Sequence, residues 1–162
     1  MTVRVGSGLD VHAFASEDRP LILAGVTIPD APGLAGHSDA DVVAHAVADA
    51  LLGAAALGDL GQRFGVDAPE LAGADSLELL AEVVAEVTSA RGTIAHVDVT
   101  VIAQRPRLSS HREAMRANLA RSLGADLGAV SVKFTTTDRL GSIGRGEGIA
   151  CWATATIEGP VG

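Results

Sequence analysis

The sequence has 162 residues, a formal net charge of −8 at pH 7 and a pI near 4.9. Hydrophobic residues make up 48% of it and aromatic residues only 2%, so Ala, Val, Leu and Ile must build the core. The length favours one domain over residues 1–162, and the lack of basic clusters excludes an electrostatic nucleic-acid surface. A mean hydropathy of +0.32 indicates an oligomer that covers further apolar surface.

The first predicted elements are short strands. Residues 2–8 predict a strand that runs into the cluster Asp10-Val11-His12. Residues 21–28 form two apolar runs around Gly25, which predicts a hairpin. The segment from Pro29 to Gly36 is expected to be a loop.

A long helix is predicted next. Ser38, with Asp41 three residues later, has the capping-box pattern, so Ser38 is expected to cap a helix that runs to about Leu57. The glycine-rich, polar segment 58–73 is expected to be a loop.

The second half of the chain alternates helices and strands. Asp75 with Glu78, and Ser110 with Glu113, predict two further helix starts. The predicted elements are a helix over 75–92, a strand over 95–101, a helix over 110–124, and strands over 130–134 and 148–157. This order predicts an α+β fold in which helices cover one face of a mostly buried sheet.

Asp10, His12 and His45 are candidate metal ligands. Residues two apart on an extended segment point to the same side, and His45 lies in the first turns of the predicted helix. Two imidazoles and one carboxylate suit zinc with one open position. Asp41 or Asp49 is expected to bind the second ring nitrogen of His45. Taken alone, the Asp-x-His pattern also fits a solvated turn.

Three further segments suit phosphate or nucleotide binding. His37 and Ser38 precede a predicted helix N-terminus, which favours anions, although Ser38 could simply cap the helix. The loop 135–141 offers hydroxyls and the carboxylate of Asp138, which suits Mg²⁺ that is shared with phosphates. Residues 103–108 follow a strand and either present backbone groups to a base or form a plain connection.

The sequence resembles the 2-C-methyl-D-erythritol 2,4-cyclodiphosphate synthase family, the cyclases of the non-mevalonate isoprenoid pathway. The resemblance runs from the first strand to the last. It rests on the segments LDVHAF, GHSDADVVAHAVADALLGAAALGDLG, HVDVTVIAQRPRL, and VKFTTTDRLG followed by GRGEGIA.

This resemblance implies a fold, a reaction and cofactors. The fold would be a mixed four-stranded sheet with helices on one face, in a homotrimer whose sheets face inward and whose active sites lie at subunit interfaces. The enzyme would convert 4-diphosphocytidyl-2-C-methyl-D-erythritol 2-phosphate to the 2,4-cyclodiphosphate. The 2-phosphate would attack the β-phosphate and CMP would leave. The cofactors would be Zn²⁺ and Mg²⁺ or Mn²⁺, and neither nucleic acid nor a membrane would be a partner.

The resemblance also implies residue roles. Asp10, His12 and His45 would bind zinc, and Asp138, where the family has Glu, would bind Mg²⁺ or Mn²⁺. His37 and Thr136 would be catalytic. The substrate would contact Ser38, Asp59, Gly61, Phe64, Asp67, Ala103, Pro106, Arg107, Leu108, Ser109, Thr135, Thr137, Ser142 and Arg145.

Three positions depart from the family pattern. Asp138 is shorter than the usual Glu. Asp67 stands in a segment that usually carries more acidic residues. Ser142 replaces an aromatic residue that often lines the axial cavity, where some family members bind an isoprenoid diphosphate near the position of Arg145.

Two other functions would use the same residues. A metal-dependent phosphohydrolase would activate water at the triad, and a non-catalytic trimer would only bind a diphosphate ligand or a partner protein. The single cysteine, Cys151, excludes an internal disulfide, and residues 1–20 lack a signal-peptide pattern. The expected location is the cytoplasm, or the plastid stroma after removal of a transit peptide.

Overall fold

A computed structural model of the chain describes residues 1–65 and 72–160. The strands are β1 (Thr2–Ala13), β2 (Leu21–Leu23), β3 (Val26–Ile28), β4 (Thr93–Ile102), β5 (Val130–Thr135) and β6 (Gly148–Gly159). The helices are α1 (Val42–Ala55), α2 (Leu60–Phe64), α3 (Ser76–Arg91), α4 (Arg112–Leu123) and α5 (Gly141–Gly144), with 3₁₀ turns at Ser109–His111 and Leu127–Ala129. No helix within the described ranges is long and apolar enough to cross a membrane.

Four strands form one mixed sheet in the order β1-β6-β4-β5. The β1–β6 and β6–β4 pairs are antiparallel, whereas β4 and β5 are parallel. β2 and β3 form a separate hairpin that turns through Ala24 and Gly25. The predicted α+β class and the predicted hairpin are therefore confirmed.

The two faces of the sheet differ in burial. On β6, Ile149, Cys151 and Ile157 face the helices and are fully buried. The opposite face is apolar but open to solvent in the single chain: Val5 is 63% exposed and Trp152 is 51% exposed. Helices thus cover one face only, as the sequence predicted.

α1 packs directly on β1 because two glycines leave room for it. A Cβ atom at Gly6 would lie 2.1 Å from the Ala50 carbonyl oxygen, and one at Gly8 would lie 2.0 Å from the Ala46 carbonyl oxygen. Eleven α1 residues are buried, since the helix lies between the sheet and α3. Such a helix is apolar on all sides, which matches its Ala- and Val-rich sequence.

The start of α1 differs from the prediction. Asp41, and not Ser38, caps the helix: its Oδ1 accepts the N–H groups of Val43 and Ala44, each at 3.1 Å. The same carboxylate accepts the N–H groups of the β2–β3 turn at 2.9 and 2.7 Å. These tertiary bonds select Asp41, and the Ser38 hydroxyl accepts the Ala40 N–H instead.

Three other boundaries also differ. β1 does not end at Gly8 but pairs with β6 as far as Ala13, so the Asp-Val-His cluster lies inside the strand. α2 occupies part of the segment 58–73 that was expected to be a loop, and Asp59 caps it. Ser110 caps no helix, because it lies within a 3₁₀ turn that leads into α4. The predicted helix over 75–92 is confirmed, with Asp75 as its cap.

Candidate functional site

Asp10, His12 and His45 converge at one point. Asp10 Oδ2 lies 2.9 Å from His12 Nε2 and 3.1 Å from His45 Nδ1. The three candidate ligand atoms all lie within 4.8 Å of one another. One carboxylate oxygen and two imidazole nitrogens thus form the group that the sequence predicted.

Local structure explains this convergence. Asp10 and His12 lie two apart on β1 and point to the helix side of the sheet, while His45 lies in the first turn of α1. Gly8 allows α1 to approach β1 closely. Residues separated by more than thirty positions in the sequence therefore meet.

In both histidines, the ring nitrogen that faces away from Asp10 contacts an oxygen atom of the protein. His12 Nδ1 lies 2.6 Å from the Ala35 carbonyl oxygen, so it is a donor and Nε2 is the ring nitrogen that faces Asp10. His45 Nε2 lies 3.0 Å from Ser76 Oγ and 3.4 Å from Ser38 Oγ. Metal-bound histidines typically have their second nitrogen held in this way.

The predicted partner of His45 was wrong. Asp41 is used by the start of α1, and Asp49 Oδ1 accepts the Leu60 N–H at 2.8 Å. Ser76, at the start of α3, takes the predicted place of these aspartates. Nothing in the local sequence around Ser76 indicates this contact, which depends on how α3 packs against α1.

The three side chains attract positive charge strongly. Burial alone would raise the pKa of Asp10, but hydrogen bonds from His12 and His45 hold it well below its usual range. The hydrogen bond to Asp10 raises the pKa of His12, although burial of the ring opposes this. Side chains that share hydrogens in this way also suit a divalent cation, which would take the place of those hydrogens.

A cavity of about 310 Å³ opens beside the triad. Its lining includes seven residues predicted from the sequence, namely Asp10, His12, His37, Ser38, His45, Gly61 and Phe64. The carboxylate of Asp59 instead accepts the Gln62 N–H at the start of α2. Asp67 lies outside the described residues.

Arg19 supports the loop that carries His37 and Ser38. Its guanidinium donates to the Gly36 carbonyl at 2.8 Å and to the Ser38 carbonyl at 2.6 Å. Sequence reasoning did not identify Arg19, since a lone arginine before the hairpin carries no motif.

The anion site predicted at the N-terminus of α1 is wrong. Val43 and Ala44 donate their N–H groups to Asp41, so the first turn is already occupied by a carboxylate. His37 and Ser38 lie several residues before this helix, along the wall of the cavity.

A second cavity of about 190 Å³ lies at the ends of β4 and β5. Its predicted members are Ala103, Pro106, Arg107, Leu108, Ser109, Thr135 and Thr136. These segments meet because parallel strands end at the same edge of a sheet. The Ala103 N–H donates to the Thr135 carbonyl, and the Arg139 N–H donates to Gln104 Oε1, each at 3.0 Å.

The loop after β5 is held by its own hydroxyls. The Asp138 N–H donates to Thr136 Oγ1 at 3.1 Å, and the Thr137 hydroxyl donates to the Leu140 carbonyl at 2.7 Å. Asp138 is exposed and has a left-handed backbone, with φ of 50°. Its carboxylate thus projects from a tightly turned, solvent-facing loop.

Ser142 and Arg145 lie beyond this loop. Ser142 belongs to α5, and Arg145 Nε lies 2.5 Å from Glu147 Oε1. Arg145 lines a third cavity of about 200 Å³ together with Arg105 and Arg139.

Among the residues that the structure describes, the first two cavities have no lining residue in common. Asp10 and His12 of the triad lie on β1, at one edge of the sheet, and His45 lies on α1, whereas the second cavity lies at the ends of β4 and β5. One chain therefore carries a cavity with a metal-type ligand set and a separate loop-lined cavity.

The chain is similar to proteins of one named family over nearly its whole length. Residues 3–158 match the model of the YgbB family. The 2-C-methyl-D-erythritol 2,4-cyclodiphosphate synthase of Marinobacter nauticus is 53% identical, over 96% of this chain and 98% of that protein.

Two solved structures share the fold. The bifunctional IspDF of Campylobacter jejuni superposes with a TM-score of 0.94 at 41% identity, over 98% of this chain and 43% of that chain. The CDP complex of Plasmodium falciparum IspF gives a TM-score of 0.85 at 31% identity, over 98% of this chain and 97% of that chain.

Proposed function

The chain belongs to the YgbB family, and we propose that its triad cavity and its loop-lined cavity together carry out the cyclisation for which its relatives are named. The enzyme converts 4-diphosphocytidyl-2-C-methyl-D-erythritol 2-phosphate to 2-C-methyl-D-erythritol 2,4-cyclodiphosphate and CMP. The observation that carries the proposal is the meeting of Asp10, His12 and His45 in one cavity with His37 and Ser38.

The reaction is an intramolecular phosphoryl transfer. An oxygen of the 2-phosphate forms a bond to the β-phosphorus, and the bond from that phosphorus to the bridging oxygen breaks. The electron pair leaves with CMP. The nucleophile is already an anion, so the protein has to position the two phosphates and neutralise charge, and no general base is required.

His37 and Thr136 are the proposed catalytic residues. His37 lines the triad cavity and would donate a hydrogen bond to a phosphate oxygen there. The Thr136 hydroxyl accepts the Asp138 N–H, and its own hydrogen makes only a long, 3.4 Å contact with Asp138. A phosphate oxygen at that position would receive this hydrogen more favourably.

The residues of the triad fit a zinc ion. His12 Nε2 and His45 Nδ1 face Asp10 Oδ2, while the other ring nitrogens face oxygen atoms of the protein. When bound, Zn²⁺ at the triad would polarise a phosphate as a Lewis acid, and Mg²⁺ or Mn²⁺ at Asp138 would offset charge on CMP.

The substrate contacts form two groups in this proposal. The methylerythritol and its phosphates would lie in the triad cavity, against Ser38, Asp59, Gly61, Phe64 and Asp67. The cytidine diphosphate would lie in the loop-lined cavity, against Ala103, Pro106, Arg107, Leu108, Ser109, Thr135 and Thr137. Ser142 and Arg145 would lie near the axis of the assembly.

We further propose a homotrimer of one domain per chain, 1–162, in the cytoplasm. The open sheet face carries the apolar side chains of Val5, Leu9, Val11 and Trp152, which a second and third copy would bury. Active sites at the subunit interfaces would then join the triad cavity of one subunit to the loop-lined cavity of its neighbour.

Product analysis tests this function. The purified enzyme, with substrate, Zn²⁺ and Mg²⁺, should yield CMP and a cyclic diphosphate in ³¹P NMR spectra. Removal of metal by a chelator should abolish turnover, and re-addition should restore it. Release of inorganic phosphate would identify the metal-dependent phosphohydrolase instead, and absence of turnover would favour a non-catalytic ligand-binding trimer.

A further inference from the structure

His45 is the end of a chain of hydrogen bonds that leads away from the triad. Its Nε2 lies 3.0 Å from Ser76 Oγ, and the Ser76 hydroxyl makes a short hydrogen bond to Asp39 Oδ1. The Ser76 N–H also donates to Asp39 Oδ2, at 3.1 Å. Asp39 therefore holds both the backbone and the side chain of Ser76.

The direction of these bonds follows from what each group can donate. An ionised carboxylate only accepts, so the single hydroxyl hydrogen of Ser76 is directed to Asp39. The Ser76 oxygen is then left with lone pairs toward His45. The Ser76 oxygen therefore accepts the hydrogen of His45 Nε2, which leaves Nδ1 as the ring nitrogen that faces Asp10 and would bind a metal ion.

Burial makes this arrangement selective. Ser76 is 1% exposed, and water therefore has little access to replace its hydroxyl. The second oxygen near Nε2, Ser38 Oγ, is 3.4 Å away and already accepts the Ala40 N–H. Ser76 is thus the nearest partner of His45 Nε2, and it orients the ring.

We propose that Ser76, held by Asp39, is a positioning residue that fixes His45 with its Nδ1 lone pair toward the metal position. The inference rests on the proposed metal site, and neither Ser76 nor Asp39 is among the residues that line the triad cavity. Because Ser76 begins α3 and His45 lies in α1, the contact also ties the packing of these helices to the ligand geometry.

The test compares Ser76→Ala with Ser89→Ala, which alters an exposed serine of the same helix. Loss of a group that orients a metal ligand typically weakens metal binding by about 10- to 100-fold. We expect about 10-fold weaker Zn²⁺ binding in Ser76→Ala, because Ser38 Oγ remains nearby, and no change in Ser89→Ala. Competition with a chromophoric chelator measures this affinity for the metal alone.

A second measurement is independent of metal. In metal-free protein labelled with ¹⁵N-histidine, ¹H–¹⁵N correlation spectra detect a ring N–H that exchanges slowly with water, and loss of a signal in His45→Ala assigns it. The Nε2–H of His45 should give such a signal in the wild type, because it donates to the buried Ser76, and it should exchange faster in Ser76→Ala. Asp39→Asn, which removes the charged acceptor that holds Ser76, should change the exchange in the same direction and serves if Ser76→Ala does not fold.

The outcomes separate this inference from the proposed function. Unchanged Zn²⁺ affinity together with unchanged exchange of the His45 Nε2–H in a folded Ser76→Ala or Asp39→Asn variant would overturn the role of Ser76. If the wild type bound no Zn²⁺, the metal site itself would be wrong, and the spectra of metal-free protein would still decide whether Ser76 holds the ring of His45.

Discussion

Gly8 lies against Ala46 so closely that a Cβ atom on Gly8 would stand 2.0 Å from the Ala46 carbonyl oxygen. His45 directly precedes Ala46, and Asp10 follows Gly8 by two residues. The contact between the two backbones therefore sets the 3.1 Å separation of Asp10 Oδ2 and His45 Nδ1. Gly8 of β1 therefore determines the geometry of the candidate ligand set.

Gly8→Ala should disrupt this geometry. Backbone atoms of α1 cannot move aside as a flexible side chain would, so the helix must shift from β1. We expect a loss of about 1–3 kcal/mol of stability and at least about 10-fold weaker Zn²⁺ binding. Thermal unfolding and chelator competition measure the two effects.

Gly128→Ala is the matched control for this variant. A Cβ atom at Gly128 would meet no heavy atom within 4 Å, and its backbone is not left-handed. Both measurements should remain at the wild-type value in the control. Wild-type Zn²⁺ affinity in Gly8→Ala would show that the helix–strand distance does not control the triad.

Asp41→Ala should cost more stability than the loss of an ordinary helix cap. Asp41 accepts four N–H groups, two from α1 and two from the β2–β3 turn, and it is fully buried. Within the described ranges, the Asp75 carboxylate accepts only the Leu77 N–H as the cap of α3. Removal of a cap costs about 1 kcal/mol, and each further buried donor left unpaired costs about 1–3 kcal/mol.

Urea unfolding of Asp41→Ala and Asp75→Ala gives the comparison. We expect Asp41→Ala to lose about 3 kcal/mol or more, and Asp75→Ala about 1 kcal/mol. Equal losses would mean that the bonds to the β2–β3 turn contribute nothing beyond the cap.

The triad could be predicted from the sequence because its ligands come from two segments, and local structure fixes their positions within each segment. The period of a strand places Asp10 and His12 on one side, and helical spacing places His45 in the first turn of α1. Ser38 and Asp41 were harder to separate, since both are good helix caps. Asp41 caps the helix because the β2–β3 turn supplies two further donors to it.

The contacts behind the triad could not be predicted in this way. Ser76 is 31 positions from His45 and reaches it only because α3 packs on α1. Arg19 reaches the Ser38 carbonyl across the β2–β3 hairpin. Both contacts depend on tertiary packing, which neither composition nor spacing describes, so residues that orient the ligands are harder to predict than the ligands.

Asp138→Asn tests the proposed role of Asp138 in binding the second metal ion. The substitution removes the charge and keeps the shape, and asparagine tolerates the left-handed backbone that Asp138 adopts better than alanine does. We expect the Mg²⁺ concentration for half-maximal rate to rise by about 10-fold or more, since one charged oxygen ligand is lost. Bound Zn²⁺ should be unchanged.

Asp126→Asn serves as the control for Asp138→Asn. Asp126 is exposed and precedes the 3₁₀ turn at Leu127–Ala129, where its side chain makes no capping hydrogen bond. Its Mg²⁺ titration should match the wild type. A normal Mg²⁺ titration in Asp138→Asn would remove Asp138 from the metal site.

Cys151 should make the protein less stable at alkaline pH. Burial raises the pKa of its thiol well above the ordinary value, with smaller contributions from Asp41 and Asp10. The folded state therefore holds the proton more tightly than the unfolded state. Its contribution to stability is complete below the unfolded pKa and is lost as pH rises through the folded pKa.

The composition makes this effect measurable. The sequence has no tyrosine, and Lys133 is its single lysine, so few other groups titrate in the same range. The free energy of unfolding should fall above about pH 9, and Cys151→Ala should remove most of that slope. An identical slope in Cys151→Ala would assign the effect to Lys133 or the N-terminus.

Mixed oligomers test whether one active site uses two subunits. His45→Ala destroys the triad, and Thr136→Val removes a hydroxyl from the loop-lined cavity. Each variant alone should lose at least about 100-fold in rate. If the proposed trimer joins the triad of one subunit to the loops of the next, random mixing at equal amounts rebuilds about one site in four. The mixture should then reach about a quarter of the wild-type rate.

A second mixture makes the result decisive. Wild type mixed equally with the double variant His45→Ala/Thr136→Val should also retain about a quarter of the wild-type rate if sites are shared. If each site lay within one subunit, this mixture would retain about half, and the mixture of single variants would recover nothing. The two cavities share no lining residue in the described part of the chain, so we expect both mixtures to reach the same rate, about a quarter of the wild-type rate.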